Sequence, residues 1–294
     1  MNKWKGRSKG TILGYRIFVW CIKNIGIRSS YFVLYFVATY YFIFEKKSNQ
    51  YISYYFKNRL NFSALKTKLS VFRSYFVFGK VLIDKTAISV GLRNRFTYEF
   101  DGIENIKNLL AEKKGGVLIS AHIGNFEIAE HFFADIDFDA QINLVTTDQE
   151  VTAIREYMES ISVKKSNIKF IFVKDDMSHI FRINEALSNN ELICFTGDRY
   201  FEGSKFLEAD LLGKTAKFPA GPFLIASRLR VPVVYVYVMK EKNLHYHLYA
   251  RVAQNIKNRD SQGLLNSYVQ NLESMLKKYP LQWFNYFDFW DEVE

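Results

Sequence analysis

A histidine followed five residues later by a carboxylate, as in His122 and Glu127, can move a proton if both stand where a substrate can reach them. They lie in the stretch GGVLISAHIGNFEIAEHFF. An imidazole titrates near neutrality, so it can take the proton from a hydroxyl or amine as that group attacks. A carboxylate on the ring's other nitrogen fixes the tautomer and stabilises the imidazolium that forms. Glu127, in the first turn of the helix that follows, can reach back to do this. Gly124 removes a side chain and lets a substrate approach the backbone. Asn125 reads as the N-cap of that helix. The helix start offers N–H groups and a positive dipole end for an oxyanion or a phosphate. No convincing serine or cysteine nucleophile accompanies these residues. The pattern therefore points to direct attack of an acceptor on an activated acyl group.

Such a site must be carried on strands and helices. Val117–Ser120 is a short apolar strand, and ligands in open α/β sheets bind beyond the carboxyl ends of strands. From residue 117 onward the chain alternates. Strands are predicted at 117–120, 141–146, 168–173, 191–196, 231–239 and 244–252. Helices are predicted at 103–113, 125–133, 149–161, 177–188, 218–229 and 261–279. This spacing predicts an α/β fold with a mainly parallel central sheet flanked by helices. Two regions follow from it, a helical region over 1–80 and a catalytic α/β domain over 81–294.

The first region has its own character. The chain has 294 residues and a net charge of +10. Residues 1–80 hold fifteen Lys/Arg against one acid, Glu45, and so carry +14, while the rest carries −4. The basic residues alternate with aromatic and aliphatic stretches, which favours an anionic membrane surface over nucleic acid. Ser29–Phe44 is an uncharged, Tyr-rich run of 16 residues. A spanning helix needs about 20, so residues 11–44 read as one or two helices lying in, or dipping into, one leaflet. The basic start, Lys3, Lys5, Arg7 and Lys9, fits the same reading, and residues 48–80 also read as helical. The two cysteines, Cys21 and Cys194, suggest neither a disulfide framework nor a metal site. Of the other histidines, His131 has no third ligand with Glu127, His179 begins a helix, and His245 and His247 share a strand face. Gly115-Gly116 is a turn before a strand and not a phosphate loop.

HIGNFE resembles the H-x4-D/E motif of the bacterial lipid A biosynthesis acyltransferases, the lauroyl and myristoyl transferases, and of the related phosphatidylinositol mannoside acyltransferase. Three further blocks agree in order: TGDRYFEGSKFLEADLLGK, FPAGPFLIASRLRVPVVYVYV and YPLQWFNYFDFW. The resemblance implies that His122 is the general base and Glu127 its partner. In some relatives a carboxylate of the later block approaches the histidine instead, which here would be Glu208. The choice between Glu127 and Glu208 stays open. Asp198 and Arg199 match the later block as substrate-binding residues, Arg199 suiting a phosphate or an oxyanion. Asp-Arg stands where typical lipid A transferases have Asp-Gln, so lysophospholipid, aminolipid and pigment acceptors rank beside a lipid A precursor.

The expected activity is transfer of a fatty acyl group from acyl carrier protein or acyl-CoA to a hydroxyl or amine of a lipid-like acceptor. No tightly bound cofactor or metal is expected. The expected place is the cytoplasmic face of the bacterial inner membrane, held peripherally or monotopically. The alternatives are a non-catalytic membrane-binding module and a thioesterase using the same site.

Overall fold

The computed structural model describes residues 12–133, 140–146, 152–163, 168–174, 176–200, 203–254 and 257–293. Lys3, Lys5, Arg7 and Lys9 lie outside them, as do Phe201 and Glu202 of the Asp-Arg block.

The described chain opens with α1 (Ile12–Asn24) and α2 (Ile27–Phe44), joined through Gly26 at φ 101°. In α2 the buried residues Ile27, Ser30, Leu34 and Ala38 recur every three or four positions, so a single stripe packs inward. The other face leaves Phe32, Tyr35, Phe36, Tyr40, Ile43 and Phe44 exposed. By length and composition alone, this 18-residue helix could cross a membrane. Next comes α3 (Lys46–Tyr54), which widens into a π turn over Tyr55–Arg59, and then α4 (Ala64–Ala87). The helical reading of 48–80 is thus interrupted without Gly or Pro. Asn61 adopts φ 54°, and Ser63 caps α4 by accepting from the Lys66 amide at 3.4 Å. Gly79 does not break α4. It admits α2, because a Cβ there would meet Leu34 Cδ1 at 2.2 Å. The proposed boundary at residue 80 falls inside this continuous helix.

The sheet strands are β1 (Thr97–Asp101), β2 (Gly116–Ser120), β3 (Ile142–Thr146), β4 (Ile168–Phe172) and β5 (Leu192–Thr196). Beyond them come a hairpin, β6 (Phe206–Leu211) with β7 (Lys214–Pro219), and then β8 (Val233–Lys240) and β9 (His245–Val252). Seven strands form one sheet in the order β1-β9-β8-β2-β5-β3-β4, parallel throughout except where β8 meets β9. The helices are α5 (Ile103–Ala111), α6 (Ala129–Phe133), α7 (Thr152–Ile161), α8 (Ser178–Ser188), α9 (Ala220–Arg228) and α10 (Ser261–Lys278). The α/β class and the mainly parallel sheet are as the sequence predicts. Strands buried on both faces read as unbroken apolar runs, and β2 is buried at every position. Two elements are additions. β1 is a half-exposed edge strand. The hairpin turns at Leu212-Gly213, both at positive φ, and takes up Phe218 and Pro219, which the sequence places in a helix.

One buried ion pair fixes α4 to the sheet. Asp84, fully buried, accepts from Lys240 Nζ at 2.6 Å and from Tyr246 Oη at 2.6 Å. Tyr31 of α2 donates to the same carboxylate. An unpaired buried charge is far more costly than the pair is stabilising. Asp84→Ala should therefore lower unfolding stability by about 3–5 kcal/mol, read from urea denaturation. A loss below about 1 kcal/mol, the range of exposed pairs, would mean that the site is not dry.

Candidate active site

The register of β2 on β5 builds the site. Ser120 pairs with Thr196, so the residues two positions past each strand end, His122 and Asp198, come together. His122 Nδ1 lies 2.8 Å from Asp198 Oδ1. The His122 backbone N–H also points at this carboxylate, 3.1 and 3.0 Å from its two oxygens. Trp283 Nε1 donates to Oδ2 at 3.2 Å. Asp198 is fully buried, whereas the His122 side chain keeps 27% exposure. With Nδ1–H donating to Asp198, the basic lone pair falls on Nε2.

The electrostatics suit a base. Burial lowers the pKa of His122, and the Arg199 guanidinium adds to that. Asp198 opposes both through its charge and hydrogen bond. The ring is thus neutral, and able to accept a proton, at pH 7. Burial alone would raise Asp198, but His122 and Arg199 outweigh it and hold the carboxyl down at about 2. Burial pushes Arg199 down to about 10 against the pull of Asp198, so it remains a cation. Arg199 Nη2 donates to the Phe284 carbonyl at 2.6 Å.

The expected pairing is corrected here. Glu127 makes no hydrogen bond to His122: its carboxylate pairs with Lys85 of α4, and its charge reaches the ring. Glu208 stands exposed on β6 opposite Lys217, and no hydrogen bond or ion pair joins it to His122. Asp198, expected to bind substrate, has both oxygens engaged within the protein. Gly124 adopts φ +63° and is packed on β8, where a Cβ would meet the Val238 carbonyl at 2.1 Å. Backbone approach to a strand therefore requires glycine here. Asn125 does not cap by its side chain. It is buried, and its Nδ2 donates to the Val81 carbonyl of α4 at 3.2 Å. The amides of Gly124 and Asn125 are taken by the Gln282 and Val238 carbonyls, at 2.9 and 2.7 Å. A 3₁₀ turn at Phe126–Ile128 and the five-residue α6 stand in place of the single expected helix.

Phe126 of the same segment lines an apolar pocket of about 620 Å³, its open mouth included, with Leu118, Leu144, Cys194, Val236 and Val238. Of the remaining histidines, His247 and His245 face Glu99, with nitrogen–oxygen distances of 2.6 and 3.8 Å, and His179 is buried. Among the described residues, no three His, Cys, Asp or Glu side chains converge as metal ligands.

The model of the bacterial lipid A biosynthesis acyltransferase family matches residues 74–290. The chain belongs to this family. No curated protein matches it at a significant level. As an acyltransferase it carries the order of blocks that its sequence displays, and the matched span runs from within α4 to Trp290. Two residues at the acyltransferase's site have no role that motif or spacing assigns. Lys85 is signalled only by Asp84-Lys85 being charges inside the otherwise apolar VLIDKTA segment of α4. Trp283 is marked by the terminal block, with no chemistry attached to it.

The geometry makes a spectroscopic prediction. The His122 ring, followed by nitrogen-15 NMR, should titrate below the ordinary value of about 6.5. Asp198→Asn should lower it further, because the carboxylate favours the imidazolium, and Glu127→Gln should move it less. A larger shift from Glu127→Gln would contradict the pairing.

Proposed function

We propose that the enzyme moves a fatty acyl group from a thioester donor to a hydroxyl or amine of a lipid-like acceptor, with His122 as general base oriented by Asp198. The observation that carries this reading is the His122–Asp198 pair at the ends of β2 and β5; Phe126 of the same HIGNFE segment lines an apolar pocket. The acceptor places its O–H or N–H against Nε2. As its heteroatom attacks the thioester carbonyl, the proton passes to Nε2, and Asp198 stabilises the imidazolium. The tetrahedral oxyanion collapses, the carbon–sulfur bond breaks, and the imidazolium returns its proton to the departing thiolate. Arg199, a desolvated cation near the ring, favours the negative charge that develops in the first step. The acyl chain occupies the pocket, whose depth sets the chain length accepted.

Acyl carrier protein or acyl-CoA is the donor. The acceptor is a lipid A precursor, a lysophospholipid, an aminolipid or a pigment. The enzyme works at the cytoplasmic leaflet of the inner membrane. Support for a membrane surface comes from the exposed aromatic face of α2, from Leu13, Ile17 and Trp20 exposed on α1, and from the +14 charge of residues 1–80.

Two measurements test this. Purified enzyme with radiolabelled acyl carrier protein, acyl-CoA and a panel of lyso-lipids should label a lipid, and His122→Ala should lower the rate by at least about a hundredfold. Label released as free fatty acid, or equal transfer by the variant, overturns the reading. For the membrane, replacing Phe32, Phe36 and Phe44 together by Ser should reduce pelleting with anionic liposomes at least tenfold. Unchanged pelleting would remove α2 from the contact.

A further inference from the structure

The terminal segment Gln282–Phe284 touches His122, Ile123, Gly124, Asp198 and Arg199. Ile123 and Trp283 form an antiparallel bridge, the Gln282 carbonyl accepts from the Gly124 amide, and the Phe284 amide donates to the His122 carbonyl at 3.0 Å. The Phe284 carbonyl receives Arg199, and the Trp283 indole donates to Asp198. The Gln282 side chain pairs in both directions with the Lys240 backbone, at 2.9 and 2.7 Å.

Trp283 is 3% exposed and held by rings on several sides. Tyr55, Phe289 and Trp290 meet it edge-on, at centroid distances of 5.1, 4.9 and 5.6 Å. Such packing fixes both angles of the side chain and hence the direction of Nε1–H. The acceptor in that direction is Asp198 Oδ2. His122 Nδ1 is bonded to the other oxygen, so the indole anchors the far side of the carboxylate. Without it, rotation of the carboxyl about its Cβ–Cγ bond would be restrained by His122 alone, the group it has to orient.

We propose that Trp283 is a positioning residue for the acyl-transfer reaction: its indole N–H locks the plane of Asp198, and through Asp198 the ring of His122. This rests on the His122–Asp198 reading above. An N–H on Oδ2 also draws negative charge away from the carboxylate. Its loss strengthens the pull of Asp198 on the imidazolium.

Trp283→Phe keeps a ring and deletes the donor. Its kcat should fall about tenfold, as for a lost hydrogen bond to a charged group, with KM unchanged. The acid limb of its pH–rate profile should move to higher pH. Phe289→Leu disturbs the same packing without touching Asp198, and should leave that limb in place. An unmoved limb in Trp283→Phe, or an equal shift in Phe289→Leu, overturns the proposal. A second arm needs no folded Trp283 variant and no substrate. Among the four indole N–H signals of the nitrogen-15-labelled wild-type protein, one should titrate with the same midpoint as the His122 ring, assigned by its loss in His122→Ala. No indole signal following that midpoint also overturns it. If the wild-type enzyme transfers no acyl group, the proposed function fails, while the spectroscopic arm still decides whether the Trp283 indole is coupled to His122 through Asp198.

Discussion

A carboxylate buried as completely as Asp198 stays ionised only if donors surround it. The donors here are the His122 ring, the His122 amide and the Trp283 indole, with the Arg199 charge nearby. The carboxylate and its partners come from three stretches of chain. His122 follows β2, Asp198 and Arg199 follow β5, and Trp283 follows α10. The parallel register of β2 on β5 is therefore the constraint that the site depends on. A slip of one residue would turn each side chain to the opposite face of the sheet and leave Asp198 without its partners. Because Asp198 is depressed in the folded state, its contribution to stability is present above its ordinary value, about 4, and is lost as pH falls toward 2.

Helix α4 ties the aromatic N-terminal helices to this site. Val81 takes the Asn125 side chain, Asp84 takes Lys240 and Tyr246, and Lys85 takes Glu127. The opposite relation also holds, since Tyr31 of α2 reaches the same Asp84. Two charged side chains and one backbone carbonyl within one and a half turns thus join α2, α4, the HIGNFE segment and the end of β8. The basic aromatic region and the α/β part are joined by one helix and a shared buried polar cluster.

Much of this was legible in the sequence. The six strands expected from 117 onward are all present, because sheet strands in layered α/β folds are short apolar runs between amphipathic helices. β1 escaped notice because Glu99 and Asp101 interrupt its apolar pattern at the sheet edge. The hairpin shows the period-2 alternation of Leu207, Ala209 and Leu211, but its turn lies at Leu212-Gly213 and lacks the common Asn-Gly signal. The partner of His122 was the larger miss. Glu127 is close in sequence, and local spacing draws attention to local pairs. Asp198 is 76 residues away, and only strand register brings it near. The clue was that Ser120-Ala121-His122 and Thr196-Gly197-Asp198 leave adjacent strands in step. Gly124 and Asn125 stand out in the sequence as places for a substrate, and the structure adds a packing demand on each, from β8 and α4.

The identity of the carboxylate that works with His122 is best measured by comparing kcat/KM for acyl transfer in Asp198→Asn, Glu127→Gln and Glu208→Gln. Asp198→Asn should lose about a thousandfold, as expected when a general base keeps its place and loses its orienting carboxylate. Glu127→Gln should lose less than about tenfold through its weaker charge effect, and Glu208→Gln should stay within about twofold. A loss from either glutamate variant as large as that from Asp198→Asn would contradict the central claim.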